Sequence, residues 1–213
     1  MQEIHLNAKY SCHVSTILET EDSSVWVGST RKLYLEGYAV EILPKLGFHE
    51  ENVIEEILFS AYSSDQITGI LGTENSSIWV GKVKNLVLLE YAIEILPKLK
   101  FHEEIEIEEL LLSAYSSGQI SRILEAKDNS LWVGRVKELY LSGYTMEILP
   151  KLRFHEENVI EGLLLSAYCS GQISRILEAE DNSFWMGKAK ELYLCDHAVE
   201  ILPKLRFHEE IEI

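Results

Sequence analysis

Trp26, Trp79, Trp132 and Trp185 stand 53 residues apart, as do Pro44, Pro97, Pro150 and Pro203, and His49, His102, His155 and His208. No insertion breaks the register, and four such units, 1–53, 54–106, 107–159 and 160–212, fill the chain. A repeat of this length cannot bury its apolar side alone, so it stacks on its neighbours and shares one core with them. No linker interrupts the series, and 1–213 reads as a single domain of stacked repeats.

Each 53-residue unit is itself double. Val136-Lys137-Glu138-Leu139-Tyr140-Leu141-Ser142-Gly143-Tyr144 in one half matches Ile160-Glu161-Gly162-Leu163-Leu164-Leu165-Ser166-Ala167-Tyr168 in the other. Both carry apolar residues at positions 1, 4 and 6 and tyrosine at position 9, the pattern LxxLxLxxN with Tyr in place of Asn. Position 1 falls at residues 1, 30, 54, 83, 107, 136, 160, 189 and 213, so the spacing alternates between 29 and 24. These lengths lie within the roughly 20–29 residues of leucine-rich repeats. The expected fold is therefore α/β: a leucine-rich-repeat solenoid of eight coils, with a parallel β-sheet on its concave face.

Alternation of period two turns positions 4 and 6 of each strand inward, so Leu139, Leu141, Leu163, Leu165 and their equivalents form the core. Strands about 4.8 Å apart would extend eight coils over roughly 40 Å. The returns, Glu-Ile-Leu-Pro-Lys-Leu in one half and Gln-Ile-Ser-Arg-Ile-Leu in the other, read as irregular or short helical turns, because Pro150 and its equivalents oppose a long helix. Tyrosine at position 9 offers one hydroxyl on a large ring and cannot replace the amide of asparagine, so a different turn is expected there. The run Asn129-Ser130-Leu131-Trp132-Val133-Gly134 is also similar to sensor-type β-propeller blades. Two LxxLxL strands per unit favour the solenoid over that fold.

Net charge is −16, which disfavours nucleic acid and anionic membrane surfaces as partners. No apolar run approaches the roughly 20 residues that span a bilayer. Met1-Gln2-Glu3-Ile4-His5 lacks the start of a signal peptide. Cys12, Cys169 and Cys195 stand where other repeats carry different residues, which is not a disulfide framework and suits a reducing, cytoplasmic setting. Met1 and Ile213 both fall on position 1 with no polar cap beside them. That suggests a fragment of a longer array and self-association through uncapped ends.

The Val136–Tyr144 segment, Ile107-Glu108-Glu109-Leu110-Leu111-Leu112-Ser113 and the Leu-Pro-Lys-Leu return at 149–152 resemble the repeat region of plant nucleotide-binding leucine-rich-repeat disease-resistance proteins. The resemblance implies a region that senses a pathogen effector or a guarded host protein, or that contacts other domains of the parent receptor to hold it inactive. No Gly-rich loop ending in Lys-Ser or Lys-Thr is present, so nucleotide binding is not expected of this chain.

Among candidate sites, position 5 of the strands is the most informative. It reads His5, Tyr34, Leu58, Val87, Leu111, Tyr140, Leu164 and Tyr193, an outward apolar and aromatic stripe. Contiguous exposed patches of this kind mark interaction surfaces, and tyrosine is a favoured anchor. Tyr34, Leu58, Val87, Leu111, Tyr140, Leu164 and Tyr193 are the candidate protein-binding residues; β-propensity alone is the competing explanation. Lys84, Lys137 and Lys190 on one strand type face Glu55, Glu108 and Glu161 on the other, which favours the parallel register and leaves the face near neutral.

The Phe-His-Glu-Glu runs, with acidic pairs 50–51, 103–104, 156–157 and 209–210, read as a solvated edge. Equivalent histidines two coils, or about 10 Å, apart cannot share a metal. The four tryptophans are expected to pack as core or as a lid on the return side, the alternative being an aromatic contact ridge. No nucleophile is paired with a unique base. The chain reads as a protein-binding module without enzyme activity, cofactor or metal, the alternative being a structural or designed array with no dedicated ligand.

Overall fold

The structure is a computed structural model that describes residues 3–49, 51–102 and 106–207. The chain divides into two compact units, residues 1–105 and 106–213. In the first unit, β1 (Glu3–Ala8), β2 (Lys32–Gly37), β3 (Val53–Ala61) and β4 (Lys82–Glu90) pair in chain order, all parallel. In the second, β5 (Glu106–Ala114), β6 (Leu131–Gly143), β7 (Val159–Ala167) and β8 (Lys188–Asp196) do the same. Each unit is thus an α/β, solenoid-like arrangement in which the chain returns to lay every strand beside the one before.

Register follows the sequence alignment. Leu33 lies opposite Ile57 and Leu35 opposite Phe59; Leu139 lies opposite Leu163 and Leu141 opposite Leu165. A one-residue slip would turn these side chains to solvent, so burial fixes the pairing. Leu33, Leu35, Ile57, Phe59, Leu86 and Leu88 in the first unit are fully buried, as are Leu110, Leu112, Leu139, Leu141, Leu163 and Leu165 in the second. Each such side chain is stabilising by about 1.5–3 kcal/mol relative to an exposed one. Position 1 is buried as well, from Thr30 and Ile54 through Val136 and Ile160 to Ala189; its outer members Met1 and Ile213 lie outside the described residues.

The returns are short helices of two kinds. Tyr38–Lys45, Tyr91–Lys98, Tyr144–Lys151 and His197–Lys204 are eight-residue 3-10 segments, each with proline as the seventh residue. Proline near the end of each segment removes a donor to the preceding turn, which opposes extension into a longer regular helix. The other returns end in single α-helical turns, Ser15–Leu18, Thr68–Leu71, Ser121–Leu124 and Ser174–Leu177. The last three pin themselves to the core through Ile70, Ile123 and Ile176. No helix among the described residues is long and apolar enough to cross a membrane.

Tyrosine at position 9 is half-buried at Tyr38, Tyr91 and Tyr144 and turns to solvent in the other strand type. Tyr62, Tyr115 and Tyr168 are 55, 67 and 62% exposed. A buried glutamine four residues on takes up the turn instead. Gln119 Oε1 accepts from Tyr115 N–H at 2.7 Å and from Ser116 N–H at 3.0 Å; Gln66 serves Tyr62 and Ser63 likewise, and Gln172 serves Tyr168. In the alternate strands the turn is made by left-handed backbone at position 8, with φ of 63° at Gly37 and 70° at Gly143. A Cβ at Gly143 would sit 2.2 Å from the Ala114 carbonyl oxygen, so β5 and β6 would have to shift to admit one there. Glu90 and Asp196 hold the same conformation with a side chain present.

Candidate functional site

The residues at position 5 line up across each sheet. His5 is opposite Tyr34, Tyr34 opposite Leu58, and Leu58 opposite Val87. In the second unit Leu111 is opposite Tyr140, Tyr140 opposite Leu164, and Leu164 opposite Tyr193. His5 and Tyr193 are exposed and the others half-buried, because each side chain rests against its cross-strand neighbours while its tip meets solvent. All seven candidate residues therefore lie on the outward sheet faces, Tyr34, Leu58 and Val87 on one unit and Leu111, Tyr140, Leu164 and Tyr193 on the other.

Carboxylates hold the tyrosine tips. Tyr34 donates to Glu56 at 2.9 Å, Tyr193 to Glu191 at 2.7 Å, and Tyr140 to Glu138. The bond to Glu138, reinforced by burial, pushes the Tyr140 hydroxyl up to about 12. Burial, then Glu56, raises Tyr34, and Glu191 raises Tyr193. These phenols are neutral donors at physiological pH and unsuited to proton abstraction there.

The flanking charges neutralise one another. Lys32 lies 3.2 Å from Glu56, Lys190 2.9 Å from Glu161, and Arg31 3.6 Å from Glu55. Lys137 pairs with Glu106 at 3.2 Å, its pKa raised chiefly by that hydrogen bond and only weakly by the more distant Glu161 and Glu108. These pairs are exposed or half-exposed and contribute about 0–1 kcal/mol each. Their consequence is a stripe bordered by charges already satisfied.

The tryptophans overturn the expectation of a core or lid. Trp26, Trp132 and Trp185 are 68, 40 and 55% exposed, and Trp79 is half-buried. Each sits in an extended run; Ile78 and Val80 flank Trp79, and Leu131 and Val133 flank Trp132, all buried. Alternation of the extended chain then forces the indole out. Facing strands supply Lys100 opposite Trp79, Arg153 opposite Trp132 and Arg206 opposite Trp185. The guanidinium groups of Arg153 and Arg206 each lie 5.3 Å from the ring of the opposed indole. His102 and His155 pack against Trp79 and Trp132 at 5.8 and 6.2 Å. Average burial of tryptophan misled here; the tight alternation of its neighbours was the signal that could have placed it.

Glu51, Glu156 and Glu157 are exposed, while Glu50, Glu103, Glu104, His208, Glu209 and Glu210 lie outside the described residues. No cluster of histidine, cysteine and carboxylate side chains suited to a metal occurs among the described residues. Cys12, Cys169 and Cys195 are exposed free thiols.

A groove of about 500 Å³ opens in the second unit, lined among others by Arg153, Phe154, His155, Trp185, Met186 and Lys188. Sequence reasoning did not single it out. Its signal was variation: Gly47, Lys100, Arg153 and Arg206 stand at equivalent positions of otherwise near-identical repeats. No family model, curated protein or solved structure matches this chain.

Proposed function

We propose that the chain is a leucine-rich-repeat recognition module, its sequence laid out as eight coils in four double repeats, that binds a protein through the position-5 stripe. Tyr34, Tyr140 and Tyr193 are the anchors, with Leu58, Val87, Leu111 and Leu164 as the apolar floor between them. The observation that carries this reading is the in-register, partly exposed aromatic and apolar row on each sheet face, edged by charges that neutralise one another. Such a border can stay solvated as the polar rim of an interface, while the row offers the side chains that dominate protein interfaces.

By its resemblance the module is a ligand-sensing or regulatory part of a cytoplasmic plant immune receptor, taking a pathogen effector, a guarded host protein or another domain of the receptor. The exposed apolar side chains of Leu6, Val199 and Leu202 support self-association, which sedimentation at increasing concentration tests. A structural array without a dedicated ligand is the second reading, favoured by the sameness of Leu58, Leu111 and Leu164.

The experiment is a cross-linked pull-down from plant lysate, with the chain beside a variant carrying Tyr34→Asp, Tyr140→Asp and Tyr193→Asp. Equal folding is checked by circular dichroism. One identified protein held by the parent and lost by the variant supports the recognition reading. Equal capture, or none, favours the structural array.

A further inference from the structure

The groove in the second unit has the makings of a separate site, independent of the sheet-face stripe. Its walls are strand edges. The short strand Leu152–Phe154 pairs on one side with β6, and Phe184–Trp185 pairs on one side with Leu205–Arg206. Among the described residues, the ladder that Phe184–Trp185 forms has only two strands, and Leu152–Phe154 pairs with β6 alone. The groove separates the two.

The backbone at Phe154 faces this opening. Gly134 is its partner in the ladder, and His155 N–H donates to Gly134 O at 2.9 Å. In a parallel bridge of that kind the hydrogen bonds belong to Gly134, so the N–H and C=O of Phe154 turn to the opposite edge, into the groove. An edge of this sort is a template for another strand.

The side chains around that edge select an occupant. The Trp185 indole, 55% exposed and with the Arg206 guanidinium 5.3 Å from its ring, forms part of one wall. Arg153 is exposed and, with Lys188 and Glu156, is among the charged side chains that line the groove, in a chain whose net charge is −16. The Arg153 guanidinium gives an acidic segment an ionic partner here that a basic segment lacks. The first unit lacks the same chemistry, since Gly47 stands where Arg153 does and Phe48 is buried.

We propose that this groove is a strand-addition site for an extended peptide segment carrying a carboxylate side chain. The segment's backbone pairs with Phe154, one of its apolar side chains lies on Trp185, and its carboxylate meets Arg153. Main-chain pairing supplies affinity and the alternating side chains supply selectivity, as in other strand-addition complexes.

Fluorescence polarisation of the full chain with a labelled peptide of alternating valine and glutamate, about seven residues long to match a typical strand, tests this. Saturable binding is expected, weakened at least about tenfold by Arg153→Glu or Trp185→Ala and unchanged by Tyr115→Ala, at an exposed side chain away from the groove. Both groove substitutions fall on exposed side chains, and circular dichroism checks that the variants keep the fold. The peptide with lysine in place of glutamate, and the glutamate peptide methylated on alternate backbone nitrogens, should each bind at least about tenfold more weakly. No binding at millimolar peptide, equal binding by Arg153→Glu, or equal binding of the methylated peptide would each overturn the proposal.

Discussion

Replacing Gln119 by leucine isolates the device that closes the turn after β5. The glutamine is buried, and its Oε1 accepts from Tyr115 N–H at 2.7 Å and Ser116 N–H at 3.0 Å. Leucine keeps nearly the same bulk and fills the same space, so no large cavity opens. What is lost is the acceptor of two part-buried backbone donors. A net hydrogen bond contributes about 0.5–1.5 kcal/mol, so two give a loss of about 1–3 kcal/mol, offset in part by the greater burial of apolar atoms. Urea unfolding of the parent and Gln119→Leu measures the difference at constant m-value. Amide exchange locates it, because Tyr115 and Ser116 should exchange faster while Leu110 and Leu112, deep in β5, should not. A loss below about 0.5 kcal/mol with unchanged exchange at both amides would refute the reasoning, since it would mean the turn stands without its acceptor.

Neighbouring leucines on β7 should respond oppositely: Leu163→Ala, in the core, should cost about 2–5 kcal/mol, and Leu164→Ala, on the outward face, under about 1 kcal/mol, as read by chemical denaturation. Gly143→Ala should destabilise by about 1–3 kcal/mol, because it combines a left-handed backbone with a collision against Ala114 O; thermal unfolding beside the same change at Gly134, where a Cβ meets nothing, separates the two causes. Tyr140 should ionise at about 12 rather than near the usual 10, so an alkaline absorbance titration should show a late-titrating phenol that Tyr140→Phe removes. Its folded-state pKa is raised, so the stability from the Glu138 bond is present below about pH 10 and is lost as pH climbs towards 12.

Much of the strand framework was readable in the residues. The apolar spacing at positions 1, 4 and 6 named the inward side chains, and Leu139, Leu141, Leu163 and Leu165 are buried because only one register hides them all. The same parity placed Tyr34, Leu58, Tyr140 and Leu164 on the outward face. Proline at a fixed place in alternate returns limited those segments to short helices. These features depend on local alternation and steric limits, which a sequence carries directly.

Other features needed the chain to be folded back on itself. Gln119 and Tyr115 are only four residues apart, yet nothing in that spacing reveals that the glutamine goes inward and the tyrosine outward; the closeness of the next strand decides it. Lys137 pairs with Glu106 at 3.2 Å, a contact that the repeat positions had not singled out. Tryptophan's general preference for burial gave way to inward neighbours on either side of it, and the Arg153–Trp132 stack and the groove beside Phe154 arise from strands that are distant in sequence. The sequence by itself determined which side chains alternate and how often; the tertiary structure decided which of them meet, because contacts between strands depend on how each return segment brings one edge beside another.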